Sequence, residues 1–194
     1  MNILVETNWI NKEMHKGTDK HYRSLEQACK SMDGVELIGL FKPLNEAWNW
    51  THFIRVDRLT TWRAVDKELH RLYPELDDNI SCSMSRMCWG SDAEIRLIKD
   101  LENMKVLVID LNNCVNNNRG ILEYYAQKCK QFEAWEGAGL LGLYMGYQDI
   151  WNWAIVKLYD SMSRYEDLEI EFFKTFRRIP EVIGIDRVYE KFEL

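Results

Sequence analysis

Trp48-Asn49-Trp50-Thr51-His52-Phe53-Ile54-Arg55-Val56-Asp57 is answered 103 residues further on by a second stretch that opens Trp151-Asn152-Trp153 and closes on Asp160. The same offset, without a gap, carries Leu4-Val5 onto Leu107-Val108, Gly17 onto Gly120 and Tyr22 onto Tyr125. It carries Gly34 onto Gly137, Leu37 onto Leu140, and Gly39-Leu40 onto Gly142-Leu143. A repeat of this length is a whole domain rather than a solenoid unit.

Outward from that stretch, each copy reads strand, helix, strand, strand, helix, strand. In the first, Ile3 to Trp9 is an apolar opening strand. Thr18 and Asp19 are placed to cap a helix that carries Tyr22, Leu25, Cys29 and Met32 at helical spacing. Val35 to Lys42 and Trp48 to Asp57 form a hairpin. Thr60 or Thr61 opens a second helix through Leu72, and Ile80 to Trp89 is the fourth strand. The second copy offers strands at Val106–Leu111, Ala138–Tyr144, Trp151–Asp160 and Val182–Phe192. Its helices are expected within 120–136 and over Tyr165–Phe176, with Pro180 beyond. Ser91 with Glu94 makes a capping box for a short connecting helix. The boundaries are therefore 1–90, 91–103 and 104–194.

This is the ferredoxin-like unit, an α+β fold with helices on one face of an antiparallel sheet. Alternation in the quoted strand puts Trp48, Trp50, His52, Ile54 and Val56 on one face and Asn49, Thr51, Phe53, Arg55 and Asp57 on the other. In the copy, Trp151, Trp153, Ile155 and Tyr159 oppose Ala154, Val156 and Leu158. Neither face is cleanly polar, so both are expected to be mostly buried, most simply with the two sheets face to face.

Two such units facing each other resemble the dimeric α+β barrel superfamily, here as tandem repeats forming a pseudo-dimer in one chain, similar to antibiotic-biosynthesis-monooxygenase-like proteins. The resemblance covers nearly the whole sequence and rests on element order and on Trp48–Leu72 with its copy Trp151–Thr175. It implies a small-molecule-binding barrel acting as a cofactor-free monooxygenase or isomerase on an apolar or aromatic substrate. The alternative is a non-catalytic ligand-binding or oligomeric interaction protein, since fold does not choose function. Haem-degrading members have an Asn after an acidic residue on the first strand, which Glu6-Thr7-Asn8 matches, and a Trp and His on the second helix, where Trp62 and His70 lie. Chlorite dismutase-like members ligate haem through a His of the second unit, and this chain has no His after His70.

The 194 residues are 46% hydrophobic, enough for a sizeable core, though each half is marginal alone. Net charge is −6, which disfavours tracking phosphates, and basic pairs such as Arg177-Arg178 are isolated. No nucleic-acid partner is expected. No apolar run approaches the roughly 18 residues of a membrane span, and the N-terminus lacks the basic flank and cleavage site of a signal peptide. Five cysteines without a Cys-x-x-Cys point to a reduced, cytoplasmic chain with mostly buried thiols. Edges of the sheets are expected to stay open, where further copies could pair into a homo-oligomer.

All four histidines, His15, His21, His52 and His70, lie in the first half. Either one copy has kept groups suited to acid–base work, or four histidines in so short a chain fall there by chance. His52, on the face of Trp50 and opposite an apolar counterpart, reads either as a neutral base or as a core histidine bonded to backbone. Arg55 and Asn8 are the candidates to polarise a substrate, Arg55 reading otherwise as an internal ion pair or an exposed strand end. Trp50, His21 and Trp62 are candidates to line the ligand, Trp50 reading otherwise as sheet packing. Neither a cofactor nor a metal site is expected, as no His-x-x-x-His or His-plus-Cys cluster is present. Asn49, Asn152, Asp57 and Asp160, being duplicated, read as loop and cap residues. Cys82 and Cys88 have no base beside them and no nucleophilic role.

Overall fold

Eight strands of a computed structural model close into one antiparallel barrel, in the order β1-β3-β2-β8-β5-β7-β6-β4. The structure describes residues 3–90, 102–113, 118–147, 151–175 and 183–192. The first four strands are β1 (Ile3–Asn11), β2 (Val35–Pro43), β3 (Trp50–Val56) and β4 (Ile80–Gly90). They are interleaved with α1 (Thr18–Lys30), α2 (Leu59–Leu72) and the one-turn α3 (Leu76–Asn79). The rest are β5 (Val106–Asn113), α4 (Asn118–Ala134), β6 (Ala138–Tyr147), β7 (Trp153–Tyr159), α5 (Met162–Thr175) and β8 (Ile183–Lys191).

The fold is α+β, as the alternation predicts, but the two four-stranded sheets do more than face each other. β2 pairs with β8 from Phe41↔Lys191 to Pro43↔Tyr189, and β4 pairs with β6 from Met87↔Tyr147 to Gly90↔Tyr144. Edge N–H and C=O groups are thus used within the chain, and the open edges expected from the sequence are absent from the closed barrel.

Three apolar groups follow from the pleat. The barrel interior draws on both halves, with Leu4, Phe41, Phe53, Leu107, Tyr144, Val156 and Tyr189. One outer layer joins β1–β3 to α1 and α2 through Val5, Leu25, Ile54, Val65 and Leu69. The other joins β5–β7 to α4 and α5 through Val108, Ile121, Phe132, Ile155 and Leu168.

Repeated residues sit at matching backbone closures. Gly34 and Gly137 have φ of 74° and 72°, and their carbonyls accept the N–H of Asp57 and Asp160 at 3.0 and 2.8 Å. A Cβ on Gly137 would lie 2.0 Å from Asp160 Oδ2, and one on Gly34 2.8 Å from Asp57 Cγ. Register shifts also fall at the same place in β2 and β6, before Gly39 and before Gly142.

Local differences from the sequence reading have local causes. Helix α1 is capped by left-handed Gly17, not by Thr18 or Asp19, and no side chain bonds there. Helix α2 begins at Leu59 after Arg58, and Asp57 instead accepts the Thr61 hydroxyl at 2.6 Å. Strand β3 begins at Trp50, two residues late. Helix α5 begins at Met162, earlier than expected, because Ser161 Oγ accepts the Arg164 N–H at 3.3 Å as a cap. Asn49 Oδ1 bonds the N–H of Asn11 on β1 rather than its own hairpin. Most of the expected connecting helix, with Cys114, Arg177-Arg178 and Pro180, lies outside the described residues. No helix among them is long and apolar enough to cross a membrane.

Candidate functional site

The first outer layer gathers imidazoles and indoles. Antiparallel pairing sets Thr7 opposite His52 and Trp9 opposite Trp50, so Trp9, Trp50 and His52 share the helix-facing side. His21 enters from the first turn of α1 and Trp62 from α2. Ring centroids are 4.9 Å apart for Trp9–His21 and 5.6 Å for His21–His52, His21–Trp50 and Trp9–His52, with Trp62 6.1 Å from His52. His21 and His52 are 0% exposed.

Hydrogen bonding in this layer is incomplete. Trp9 Nε1 donates to His52 Nδ1 at 3.0 Å. An indole can only donate, so His52 Nδ1 is unprotonated and the neutral ring carries its proton on Nε2. That Nε2, both ring nitrogens of His21, Trp50 Nε1 and Thr18 Oγ1 are buried without a partner. Each such atom costs roughly 1–3 kcal/mol. Burial drives the His21 pKa down to about 3, with the charge of His70 adding to it. Burial, then His21, holds His52 well below its ordinary value. Both rings are neutral near pH 7.

Asn8 and Arg55 lie on the other side of the sheet. The register that pairs Thr7 with His52 pairs Asn8 with Thr51 and Leu4 with Arg55, so both candidates leave the His52 face. Asn8 accepts the Thr51 hydroxyl at 2.5 Å and donates to Glu6 Oε1 at 2.8 Å. Glu6 also accepts the Tyr189 hydroxyl at 3.1 Å and lies 3.8 Å from Arg187. Arg55 pairs with Glu36. The structure thus brings His21, His52, Trp50 and Trp62 together and keeps Asn8 and Arg55 apart from them. Sequence reasoning missed Trp9 and Thr18, although Trp9 alternates with Val5 and Thr7 in β1. His70 is half-exposed on α2, its pKa raised chiefly by its bond to the Asp66 carbonyl. His15 stands apart, its ring 5.6 Å from that of Phe192. Cys29 is a buried thiol pushed up to about 12 by burial, and Cys82 is exposed.

The matching layer of the second half holds charge instead. Lys157 Nζ lies 3.1 Å from Glu169, 3.4 Å from Asp186 and 3.6 Å from Asp110. Lys128 donates to both Glu169 oxygens, at 2.9 and 2.8 Å, and its Nζ stands 3.6 Å from the Phe172 ring centroid. Tyr124, Tyr159 and Tyr165 donate to Asp110, Glu169 and Asp186. Both lysines are 0% exposed. Burial opposes the Lys157 charge, but Asp186, Glu169 and Asp110 hold its pKa well above the ordinary value. Burial brings Lys128 down to about 8, and Glu169 is held at about 2 by the two ammonium groups against its own burial. The signal was present: Lys157 falls between Ile155 and Tyr159 on one face of β7, and Asp110 interrupts an apolar strand.

No protein-family model and no curated protein matches the chain. Solved structures do. A proposed monooxygenase from Fusobacterium nucleatum superposes with a TM-score of 0.68 at 15% identity, over 99% of this chain and 93% of that one. A proposed chlorite dismutase gives 0.63 at 10% identity, over 99% and 96%. A haem-binding protein from Thermus thermophilus gives 0.58 at 8% identity, over 99% and 91%. The chain has the dimeric α+β barrel fold.

Within this dimeric α+β barrel, neither outer layer fits haem. The second contains no histidine, and Lys128, Lys157, Glu169 and three tyrosine hydroxyls occupy it. The centre of its three carboxylates is taken by the Lys157 ammonium. In the first layer, His21 and His52 are fully buried and packed against Trp9, Trp50 and Trp62 at ring separations of 4.9–6.1 Å, so neither imidazole is presented to a haem iron.

Proposed function

We propose that the chain binds a small apolar or aromatic molecule in the layer between the first sheet and helices α1 and α2, held by His21, His52, Trp50 and Trp62. The observation that carries this is the set of buried, partnerless atoms on Thr18, His21, Trp50 and His52. A core built only for stability fills such a layer with apolar groups. A guest with a carbonyl or hydroxyl recovers the lost hydrogen bonds, while the indoles pack on its rings.

Chemistry follows from the tautomers. With Nδ1 engaged by Trp9, His52 presents Nε2–H, a donor to a substrate oxygen. The role of base expected for His52 passes to His21, whose nitrogens have no partner and whose protonated form the enolate charge arising beside it would offset against burial. His21 takes a proton from carbon beside a carbonyl whose oxygen His52 stabilises. Returning that proton to another carbon is an isomerisation. Reaction of the same carbanion with O2 turns a CH2 into a carbonyl, with the second oxygen atom leaving as water. This is cofactor-free monooxygenation, and Asn8 and Arg55 then serve the barrel wall.

The pseudo-dimer reading belongs here as well. Units at 1–90 and 104–194, joined by 91–103, are supported by the doubled element order and by the twin Gly34–Asp57 and Gly137–Asp160 closures. Buried free thiols at Cys29 and Cys129 are compatible with a reducing, cytoplasmic setting.

A second reading, binding without catalysis, is favoured by the complete enclosure of both imidazoles. Turnover separates the two. The molecule carried by protein from its own host is returned to the purified protein in air. Oxygen uptake or isomer formation, lost in His21→Ala and reduced in His52→Ala, supports the enzyme. Binding with no turnover by the unaltered protein supports the carrier.

A further inference from the structure

We infer a second, separate binding site for organic anions with an apolar body, in the groove at the seam where the two halves meet. The groove encloses about 500 Å³, within the usual range of small-molecule sites, and runs between the ends of β2 and β8 and the starts of β5 and α5. Its apolar wall is Val106, Met162 and Phe192, and its rim carries Lys42, Lys105 and Lys191 against the single carboxylate of Glu190.

Three points argue for an anion. The chain as a whole is acidic, at −6, yet this groove gathers three ammonium groups and one carboxylate. Lys16, Lys20 and Lys30 each pair with a neighbouring acid. Lys42 and Lys105, by contrast, have no ion pair or side-chain hydrogen bond among the described residues, even though Lys42 stands directly across from Glu190 in the β2–β8 ladder. Lys191 Nζ is committed to the Glu102 carbonyl at 3.0 Å, which leaves Lys42 and Lys105 as the free pair. The start of α5 adds the positive end of its dipole at the same rim. An ammonium pair above an apolar wall matches a carboxylate or sulfonate on a hydrocarbon or aromatic body. Inorganic phosphate would leave Val106, Met162 and Phe192 unused.

The site lies outside the His21–His52 layer, so its fate is independent of that reading. Titration calorimetry with decanoate, decanol and inorganic phosphate tests it. Decanoate is expected to saturate at one per chain, with decanol and phosphate each at least tenfold weaker. Lys42→Gln/Lys105→Gln, in exposed positions that leave the melting temperature unchanged, is expected to weaken decanoate at least tenfold. Met162→Trp, which fills the groove, is expected to abolish it, and His52→Leu to leave it alone. Decanol binding as tightly as decanoate, undiminished binding by the lysine double variant, or no saturable binding at all overturns the proposal.

Discussion

The indole N–H of Trp9 meets Nδ1 of His52 at 3.0 Å, inside a layer where both side chains are buried. This single bond fixes which nitrogen of His52 carries the proton and hence what the ring can offer a guest. Long-range ¹⁵N correlation spectra are expected to show His52 as the Nε2–H tautomer. In Trp9→Phe the ring loses that preference, and any turnover falls while the barrel stays folded.

Acid stability reports the same layer. Unfolded, both rings take up a proton near 6.5, whereas folded His21 does so only at about 3 and His52 also resists. Below 6.5 the unfolded chain therefore binds more protons, and stability, full above that value, falls as pH drops. The slope approaches about 1.4 kcal/mol per pH unit for His21, and His52 adds in the same direction. Half-exposed His70, whose pKa is raised, opposes this in part. Between pH 6.5 and 4.5, before Glu169 begins to contribute, urea midpoints should fall in the unaltered protein and fall less in His21→Phe.

The second layer is a linked ionic core. Lys157→Met leaves Asp110, Glu169 and Asp186 without their shared cation, which costs roughly 3–5 kcal/mol. Adding Glu169→Gln is expected to recover part of that loss. Urea denaturation of the single and double variants measures the coupling, and additive losses would show the two groups to be independent.

Gly34→Ala and Gly137→Ala should lower stability alike, each by more than about 1 kcal/mol, because both positions have positive φ and a carboxylate in the way. Thermal melts of the two variants check whether the repeated residues serve the same closure.

Much of the architecture was legible because it depends on patterns with a period. Alternation along Trp50–Val56 separates the His52 face from the Arg55 face, and the repeat aligns Gly34 with Gly137. The closed edges were not legible, since nothing in Lys42 or Gly90 states which strand will pair there. Of the proposed site, Trp50 and His52 share a face in the strand alternation, whereas that His21 and Trp62 meet them depends on how α1 and α2 pack. Trp9 was not legible, because an indole in an apolar strand looks like packing until its N–H finds an acceptor. Lys128 and Lys157 escaped for the opposite reason. A lysine in a helix or strand reads as surface unless its partners, here Glu169 and Asp186, are known to converge from distant segments.

The most direct test is native mass spectrometry of the protein from its own host, beside His21→Leu/His52→Leu and Lys42→Gln/Lys105→Gln prepared in the same way. The account predicts a small organic molecule on the unaltered protein and on the lysine variant, absent from the histidine variant. Unaltered protein at the bare chain mass, or a molecule on the lysine variant that survives the further loss of both histidines, would contradict it.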